Sequence, residues 1–306
     1  MTAIAVTGAN GFVGSALVKE ILARGHVPLA LGRNPDRMKF DERVERRRFD
    51  PEQPRPNPSA FEGADAVIHL AGETVAGRWT TEKKRRIYAS RIEGTRVLVE
   101  SLAALERRPA VLASASASGY YGSRGDATLT EESPPGNDFL ARVCLDWERE
   151  AATAERLGIR VVRLRTGIAL GNGGALAKMR TPFALGLGGP FGKGRQFVPW
   201  IHLADLASLY LFAVDREDVR GPLNAVAPDA ATNIRFARAF GAALHRPAML
   251  PVPRLPLRLL LGEFAETLFA SQRLVPAVAE RTKFVWRYPH LEEALAAIVG
   301  TPSGAR

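Results

Sequence analysis

Three glycines limit what this chain can fold into. Gly8-Ala9-Asn10-Gly11-Phe12-Val13-Gly14 follows the apolar run Ile4–Thr7 and opens the segment Phe12–Arg24, where Val13, Leu17, Ile21 and Leu22 recur at helical spacing. Gly25 stops that helix. A strand that passes into a helix through glycines leaves backbone N–H groups exposed at the helix's positive end, which suits a pyrophosphate. Gly8 permits the tight turn, Gly11 lets the backbone approach the phosphates, and Gly14 allows the helix to pack closely on the strand. The loop also sits inside a strand–helix–strand unit, the context that separates it from an ordinary glycine turn.

The chain continues in the same rhythm. Val27–Leu31 reads as a second strand, Arg46–Phe49 as a weaker third and Ala66–Leu70 as a fourth, apolar except for His69. The proline-dense stretch Pro51–Pro58 is expected to be loop. Thr80–Glu106 carries Ile87, Arg91, Gly94, Val97, Leu98 and Leu102 along one helical face. Ala110–Ala113 and Arg160–Leu164 read as further strands, separated by a loop and the helical Phe139–Leu157. This alternation predicts an α/β fold: a Rossmann doubly wound parallel sheet with right-handed crossovers.

After Gly167 the texture changes, with glycine-rich stretches at Gly171–Gly174 and Gly186–Gly194 and the irregular Pro247–Pro256 before the very apolar Leu255–Phe269. Two lobes are expected. The dinucleotide-binding domain takes 1–166, with 203–226 returning to it; 167–202 and 227–306 form a smaller C-terminal substrate lobe. The tail Thr301–Arg306 is expected to fray.

The site of the second phosphate choice follows the second strand. NAD sites place an acid on the ribose 2′-hydroxyl about twenty residues past the loop, whereas NADP sites offer arginine to the 2′-phosphate. Here Leu31-Gly32-Arg33-Asn34 supplies an arginine and no acid, with Arg37 nearby. Asp36, the one acid close by, reads as the cap of a short helix. The reading is NADP(H) rather than NAD(H), with Arg33 forked onto the phosphate.

Charge and cysteine content narrow the remaining classes. A formal net charge of +10 would attract anions, but the basic residues are scattered and no zinc pattern or nucleic-acid module accompanies them. Nucleic acid is therefore not an expected partner, and no metal site is expected. Apolar runs such as Ala66–Ala71 and Leu257–Leu261 are too short to span a bilayer. Met1-Thr2-Ala3 runs straight into a strand, so no signal peptide is expected, and the single Cys144 suits a reducing cytoplasm.

Several stretches carry a closer resemblance. They are Ala66-Val67-Ile68-His69-Leu70-Ala71-Gly72-Glu73, Ser114–Gly122, Asp138-Phe139-Leu140-Ala141, Trp147-Glu148 and Arg165-Thr166-Gly167. Further on come Gly186–Pro190, Trp200-Ile201-His202, Asn224–Pro228, Gly262-Glu263 and Ser271-Gln272-Arg273. With the glycine loop they resemble the extended short-chain dehydrogenase/reductase superfamily, and within it the atypical NAD-dependent epimerase/dehydratase-like subgroup described as nucleoside-diphosphate-sugar epimerases. The resemblance covers nearly the whole chain. It implies that Asn10, Phe12 and Val13 join the phosphate loop and that Gly32 and Asp50 border the adenosine. Leu70, Ala71, Gly72, Arg91 and Ser114 would line the cofactor cleft, with Arg165 and Ile168 passing near the nicotinamide. Glu73, Trp200 and His202 would border the substrate.

One part of that pattern is missing. Superfamily members with known chemistry carry a tyrosine and, four residues on, a lysine that lowers its pKa for proton exchange. Registering Glu148 on the glutamate that follows the pair puts Leu140 at the tyrosine and Cys144 at the lysine, and neither can do that work. Ser116 would keep the polarising serine, with Ser114 and Ser118 as alternatives. Tyr120 and Tyr121 are replacement acids at the end of the fifth strand. Two readings stay open: an NADP(H)-dependent carbonyl reductase or nucleotide-sugar epimerase with a displaced acid, and a non-catalytic NADP(H)- or small-ligand-binding regulatory protein. A nucleic-acid-associated role rests on charge alone. Monomer and homodimer are both compatible with the sequence.

Overall fold

The computed structural model describes residues 1–53 and 55–300. Strands β1 (Ala3–Thr7), β2 (Val27–Gly32), β3 (Glu45–Arg48), β4 (Ala66–His69) and β5 (Val111–Ala117) come first, with helix α1 (Phe12–Ala23) after β1 and α2 (Thr81–Ala103) after β4. The short β6 (Thr128–Leu129), α3 (Phe139–Ala152), β7 (Arg160–Thr166), β8 (Ile168–Leu170) and α4 (Gly174–Ala184) follow. Then come β9 (Phe197–Val198), β10 (Trp200–His202), α5 (Leu203–Asp215), β11 (Gly221–Ala225), β12 (Ala231–Thr232) and α6 (Asn233–Ala243). The last elements are α7 (Arg254–Leu261), α8 (Phe264–Leu268), β13 (Arg273–Leu274), α9 (Ala277–Arg281) and α10 (Leu291–Gly300). Residues 301–306, where the frayed tail is expected, lie outside the described residues, as does Pro54 in the proline-dense loop.

Seven strands form one sheet in the order β11-β7-β5-β4-β1-β2-β3, and every neighbouring pair is parallel. The direction of winding reverses between β1 and β4, and such a reversal opens a crevice at the carboxyl ends of those strands. Alternation along β1 shows how both faces are covered. Ile4 and Val6 pack with Leu17 and Ile21 of α1 and Leu206 of α5, whereas Ala5 packs with Leu98 of α2 and Val161 of β7. Strands buried on both faces need the uniformly apolar runs the sequence shows.

A second core, with Leu170, Phe183, Trp200, Phe236, Phe240 and Leu295, joins β8, α4, β10, α6 and α10. Helix α7 contributes nothing buried, and its Leu255, Leu259 and Leu260 are exposed, so the apolar stretch there is not core.

Three boundaries differ from expectation for identifiable reasons. β3 lies one residue earlier, as an edge strand of Glu45-Arg46-Arg47-Arg48, with Phe49 turning into the core behind it; charge on an edge strand discourages stray pairing. β5 runs on past Ala113 to Ala117, because Ser114 and Ser116 continue the pairing with β7. The helix expected through Leu157 ends at Ala152 and tightens into a 3-10 turn, Thr153–Leu157, closed by Gly158 at φ 80°.

Candidate functional site

The glycine loop sits where β1 gives way to α1, and two of its glycines are fixed by the surrounding backbone. Gly8 turns at φ 67°, a left-handed conformation, and a Cβ there would lie 3.1 Å from the Ala71 nitrogen. A Cβ on Gly14 would lie 2.3 Å from the Gly8 oxygen and 2.8 Å from the Ala9 Cα, so no side chain fits. Gly11 caps α1 without any side-chain partner, and its N–H donates to the Gly8 oxygen at 2.9 Å. Asn10 and Gly11 are exposed, so this helix end is open to a ligand. The Phe12 ring lies under the loop before α4, where a Cβ on Gly173 would come within 2.7 Å of it.

Beneath the loop lies a brace that the sequence reading passed over. Thr7 Oγ1 accepts from the backbone N–H groups of Leu70 (3.1 Å) and Ala71 (3.2 Å) and lies 2.7 Å from His69 Nδ1. With both lone pairs engaged, the hydroxyl proton goes to Nδ1, which leaves His69 Nε2 to donate to Thr95 Oγ1 at 3.1 Å. Burial, and then the charge of Arg91, push the His69 pKa down to about 4, so the ring is neutral. The His69 in an otherwise apolar strand was the signal for this brace.

At the end of β2, Gly32 lies beside the loop, with a hypothetical Cβ 3.9 Å from Asn10 Oδ1. Arg33 is exposed, and its nearest carboxylate partner is Glu52 at 3.6 Å. Asp50 is half-buried and accepts from the Glu52 N–H at 3.1 Å. On the other side of β1, Leu70 and Ala71 are half-buried and Gly72 is exposed. Arg91 comes up against Gly72 from α2: its Nη1 donates to the Glu73 carbonyl at 2.9 Å, and its Cζ lies 5.1 Å from the Trp147 ring centroid. Lys83, by its hydrogen bond, holds the Glu73 carboxyl below its usual range, so Glu73 is ionised at neutral pH.

Four residues expected to act in catalysis or at the nicotinamide lie elsewhere or are otherwise engaged. Ser116 donates to Glu148 Oε1 at 2.7 Å, and Arg165 grips the same carboxylate through Nε (2.8 Å) and Nη2 (2.9 Å). Arg165 Nη1 also donates to the Tyr121 hydroxyl at 2.9 Å, and that hydroxyl donates to Asn224 Oδ1 at 2.6 Å. All of these side chains are buried. Burial pushes the Tyr121 phenol up to about 12, and Asn224 already takes its proton. The network therefore ties β5, β7, β11 and α3 together, which corrects the roles expected for Ser116, Tyr121 and Arg165. Ser114 is also buried, bonded only to the next carbonyl at 3.4 Å. Tyr120, 9% exposed, has a hydroxyl with no hydrogen-bond partner among the described residues, while its ring lies 3.4 Å from Arg165 Cζ.

Trp200 and His202 are also corrected. Trp200 is core, its Nε1 donating to the Asp229 carbonyl at 2.8 Å. His202 caps α5 by accepting the Ala204 N–H at 3.1 Å, and its ring lies 4.0 Å from Tyr288. Burial, then Arg287, push the His202 pKa down to about 4. Ile168 is partly exposed at the start of β8. Leu140 and Cys144 do face the end of β5, 3.2 Å and 3.8 Å from a Cβ placed on Gly119. Burial pushes the Cys144 thiol up to about 12, so it is no nucleophile. An aromatic group not foreseen from the sequence lies beside α2 and α3: Trp79 meets Phe139 at 5.2 Å and Phe264 at 5.7 Å.

A seven-stranded parallel sheet in this order, with a glycine loop between β1 and α1, defines a Rossmann-type α/β protein. Residues 4–225 match the NAD dependent epimerase/dehydratase family, and the chain belongs to that family. Residues 252–298 match a domain of unknown function, DUF1731. The chain is 36% identical to the chloroplastic epimerase family protein SDR39U1 homolog of Arabidopsis thaliana, over 97% of this chain and 86% of that protein. It is 35% identical to epimerase family protein YfhF of Bacillus subtilis, over 97% of each. Among solved structures it is similar to human epimerase family protein SDR39U1 (isoform 2) with NADPH, at 33% identity and TM-score 0.86, covering 98% of this chain and 100% of that one. The UDP-N-acetylglucosamine 4-epimerase of Bacillus cereus, at 20% identity and TM-score 0.76, shares the fold, with 98% of each chain covered. No helix among the described residues is long and apolar enough to cross a membrane.

Proposed function

We propose that this chain binds NADP(H) along the crevice between β1 and β4 and acts as a short-chain-type reductase or epimerase on a small molecule. Nucleotide sugars are the first class to test. Arg33 is the observation that carries the cofactor choice: an exposed guanidinium that follows Gly32 at the end of β2, 3.6 Å from its nearest carboxylate partner and able to fork onto a 2′-phosphate. The residues fit the dinucleotide. The Gly8–Gly14 backbone would hold the pyrophosphate at the N-terminus of α1, which has no side-chain cap and where Asn10 and Gly11 are exposed. The NADPH in the human relative's structure supports the same choice.

The nicotinamide, when bound, supplies or accepts the hydride. Thr7 and His69 hold the Leu70–Ala71 backbone against the loop. Tyr120 is the remaining tyrosine able to exchange a proton, since Tyr121 is committed to Asn224. The sole, buried Cys144 supports a reducing compartment such as the cytoplasm. A second reading, a non-catalytic NADP(H)-binding regulator, is favoured by Leu140 and Cys144 facing the end of β5, where the superfamily's acid–base pair would stand.

Calorimetric titration of NADPH and NADH tests the cofactor. NADPH should bind more tightly, and Arg33→Ala should weaken it by about 1.5–3 kcal/mol, roughly 10- to 150-fold, while leaving NADH unchanged. Equal curves for both cofactors in the wild type refute the choice. Nicotinamide absorbance, followed as nucleotide sugars and carbonyl compounds are added, then separates enzyme from regulator.

A further inference from the structure

Most of the large apolar side chains left exposed among the described residues lie in two short segments. Helix α7 is the clearest part. Leu257 and Leu261, four residues apart, are half-buried, whereas Leu255, Leu259 and Leu260 are exposed. Met249 and Leu250 stand out just ahead of the helix, and so do Leu185 and Leu187 in the turn after α4; each of these seven side chains is 57–80% exposed. The two segments run side by side. The Val252 N–H donates to the Pro190 carbonyl at 2.8 Å, the Gly192 N–H donates to the Val252 carbonyl at 2.9 Å, and Arg246 Nε donates to the Ala184 carbonyl at 2.9 Å. Apolar side chains gathered in this way mark a place where something docks.

The charge beside them says what docks. Residues 185–198 and 244–262 contain Lys193, Arg195, Arg246, Arg254 and Arg258, all exposed, and no acidic residue. The carboxylates that follow are already engaged: Glu263 pairs with Lys84, and Glu266 is shared between Arg254 and Arg258. One carboxylate against two arginines leaves α7 positive. Leucines turned to solvent on a helix that also carries arginines form the pattern of a segment lying in a bilayer interface. A face with cations and no acid of its own suits anionic headgroups. A second copy of the chain fits poorly, because it would set two such positive faces against each other. We propose that this face docks the protein onto an anionic lipid bilayer, with the leucines of α7 entering the interface and the surrounding arginines and lysines meeting the headgroups. The protein lies on the bilayer and does not span it, and the docking is independent of the cofactor reading.

The test is co-sedimentation of the full chain with vesicles of phosphatidylcholine alone and of phosphatidylcholine carrying about one-third phosphatidylglycerol. The wild type should bind the anionic vesicles at least about tenfold more tightly than the neutral ones, and added salt should weaken that binding. Leu255→Gln/Leu259→Gln, which leaves the charge unchanged, should lower anionic-vesicle affinity by about tenfold or more. Lys193→Gln/Arg195→Gln should lower it as well. Both variants should keep the wild-type melting temperature, since the changed side chains are exposed. No binding to anionic vesicles overturns the proposal, as does equal binding to neutral ones. Full binding by Leu255→Gln/Leu259→Gln reduces the effect to diffuse charge attraction and overturns it too. A wild-type dimer in sedimentation equilibrium that this variant abolishes, with no vesicle binding, assigns the face to a second copy and also overturns it.

Discussion

Replacing Glu148 by glutamine removes one charge from the buried cluster of Ser116, Glu148, Arg165, Tyr121 and Asn224 and leaves its neighbours in place. Arg165 and Glu148 are each 4% exposed, and the carboxylate accepts three hydrogen bonds, from Ser116 Oγ, Arg165 Nε and Arg165 Nη2. An amide can accept through one oxygen, so its nitrogen would face a guanidinium donor and the Arg165 charge would stay buried without compensation. Breaking one partner of such a pair costs about 3–5 kcal/mol, whereas replacing both with apolar groups of similar size costs far less. Glu148→Gln should therefore lower Tm by about 5–15 °C. The double variant Glu148→Leu/Arg165→Met should recover a good part of that loss. Urea unfolding of the four proteins gives the coupling directly. NADPH affinity per folded molecule should not change, because Arg165 serves the framework and not the nicotinamide. A Glu148→Gln protein that melts within 2 °C of wild type, or one that stays stable but loses NADPH, would refute this account.

Other outcomes follow from single positions. Gly14→Ala should destabilise by about 1–3 kcal/mol or more, since its Cβ would stand 2.3 Å from a backbone oxygen that cannot swing aside; an unchanged melting curve would contradict this. Gly11→Val, where a Cβ meets only the Gly8 oxygen at 3.1 Å, should fold but fail to bind NADPH in calorimetry. His69 has its pKa lowered from 6.5 to about 4, so its contribution is full above pH 6.5 and is lost as pH falls towards 4. That shift is worth about 3 kcal/mol, and His69→Gln should remove the corresponding slope from stability measured between pH 7 and 4. In any active preparation Tyr120→Phe should lower turnover by about 10²-fold or more. Tyr121→Phe should instead cost about 1–3 kcal/mol of stability.

The fold was legible where the physics is local. Gly14 is dictated by backbone a few residues away and Gly8 by its own left-handed turn at φ 67°, and the strands of a parallel sheet buried on both faces announce themselves as unbroken apolar runs. That Arg91 needs partners was legible too, because a charged side chain on an apolar helical face must be paired, and the Glu73 and Ile87 carbonyls are among them. Ser116, Tyr121 and Arg165 were not. Each has the side-chain type a catalytic site uses, and whether it faces a cleft or a core is decided by partners far along the chain. Tyr121 meets Asn224 across 103 residues and Arg165 across 44. His202 and Trp200 misled for the same reason: their partners, Tyr288 and the Asp229 carbonyl, come from distant segments that no motif links to them.

The titratable groups around the crevice also limit the chemistry open to it. His69 and His202 are neutral at physiological pH and held by fixed hydrogen bonds, Glu73 is ionised against Lys83, and Cys144 keeps its proton. A general acid or base works best with a pKa near the operating pH, and none of these four has one. If the protein turns over a substrate, its pH profile should therefore show no limb between pH 5 and 8 from His69, His202 or Cys144.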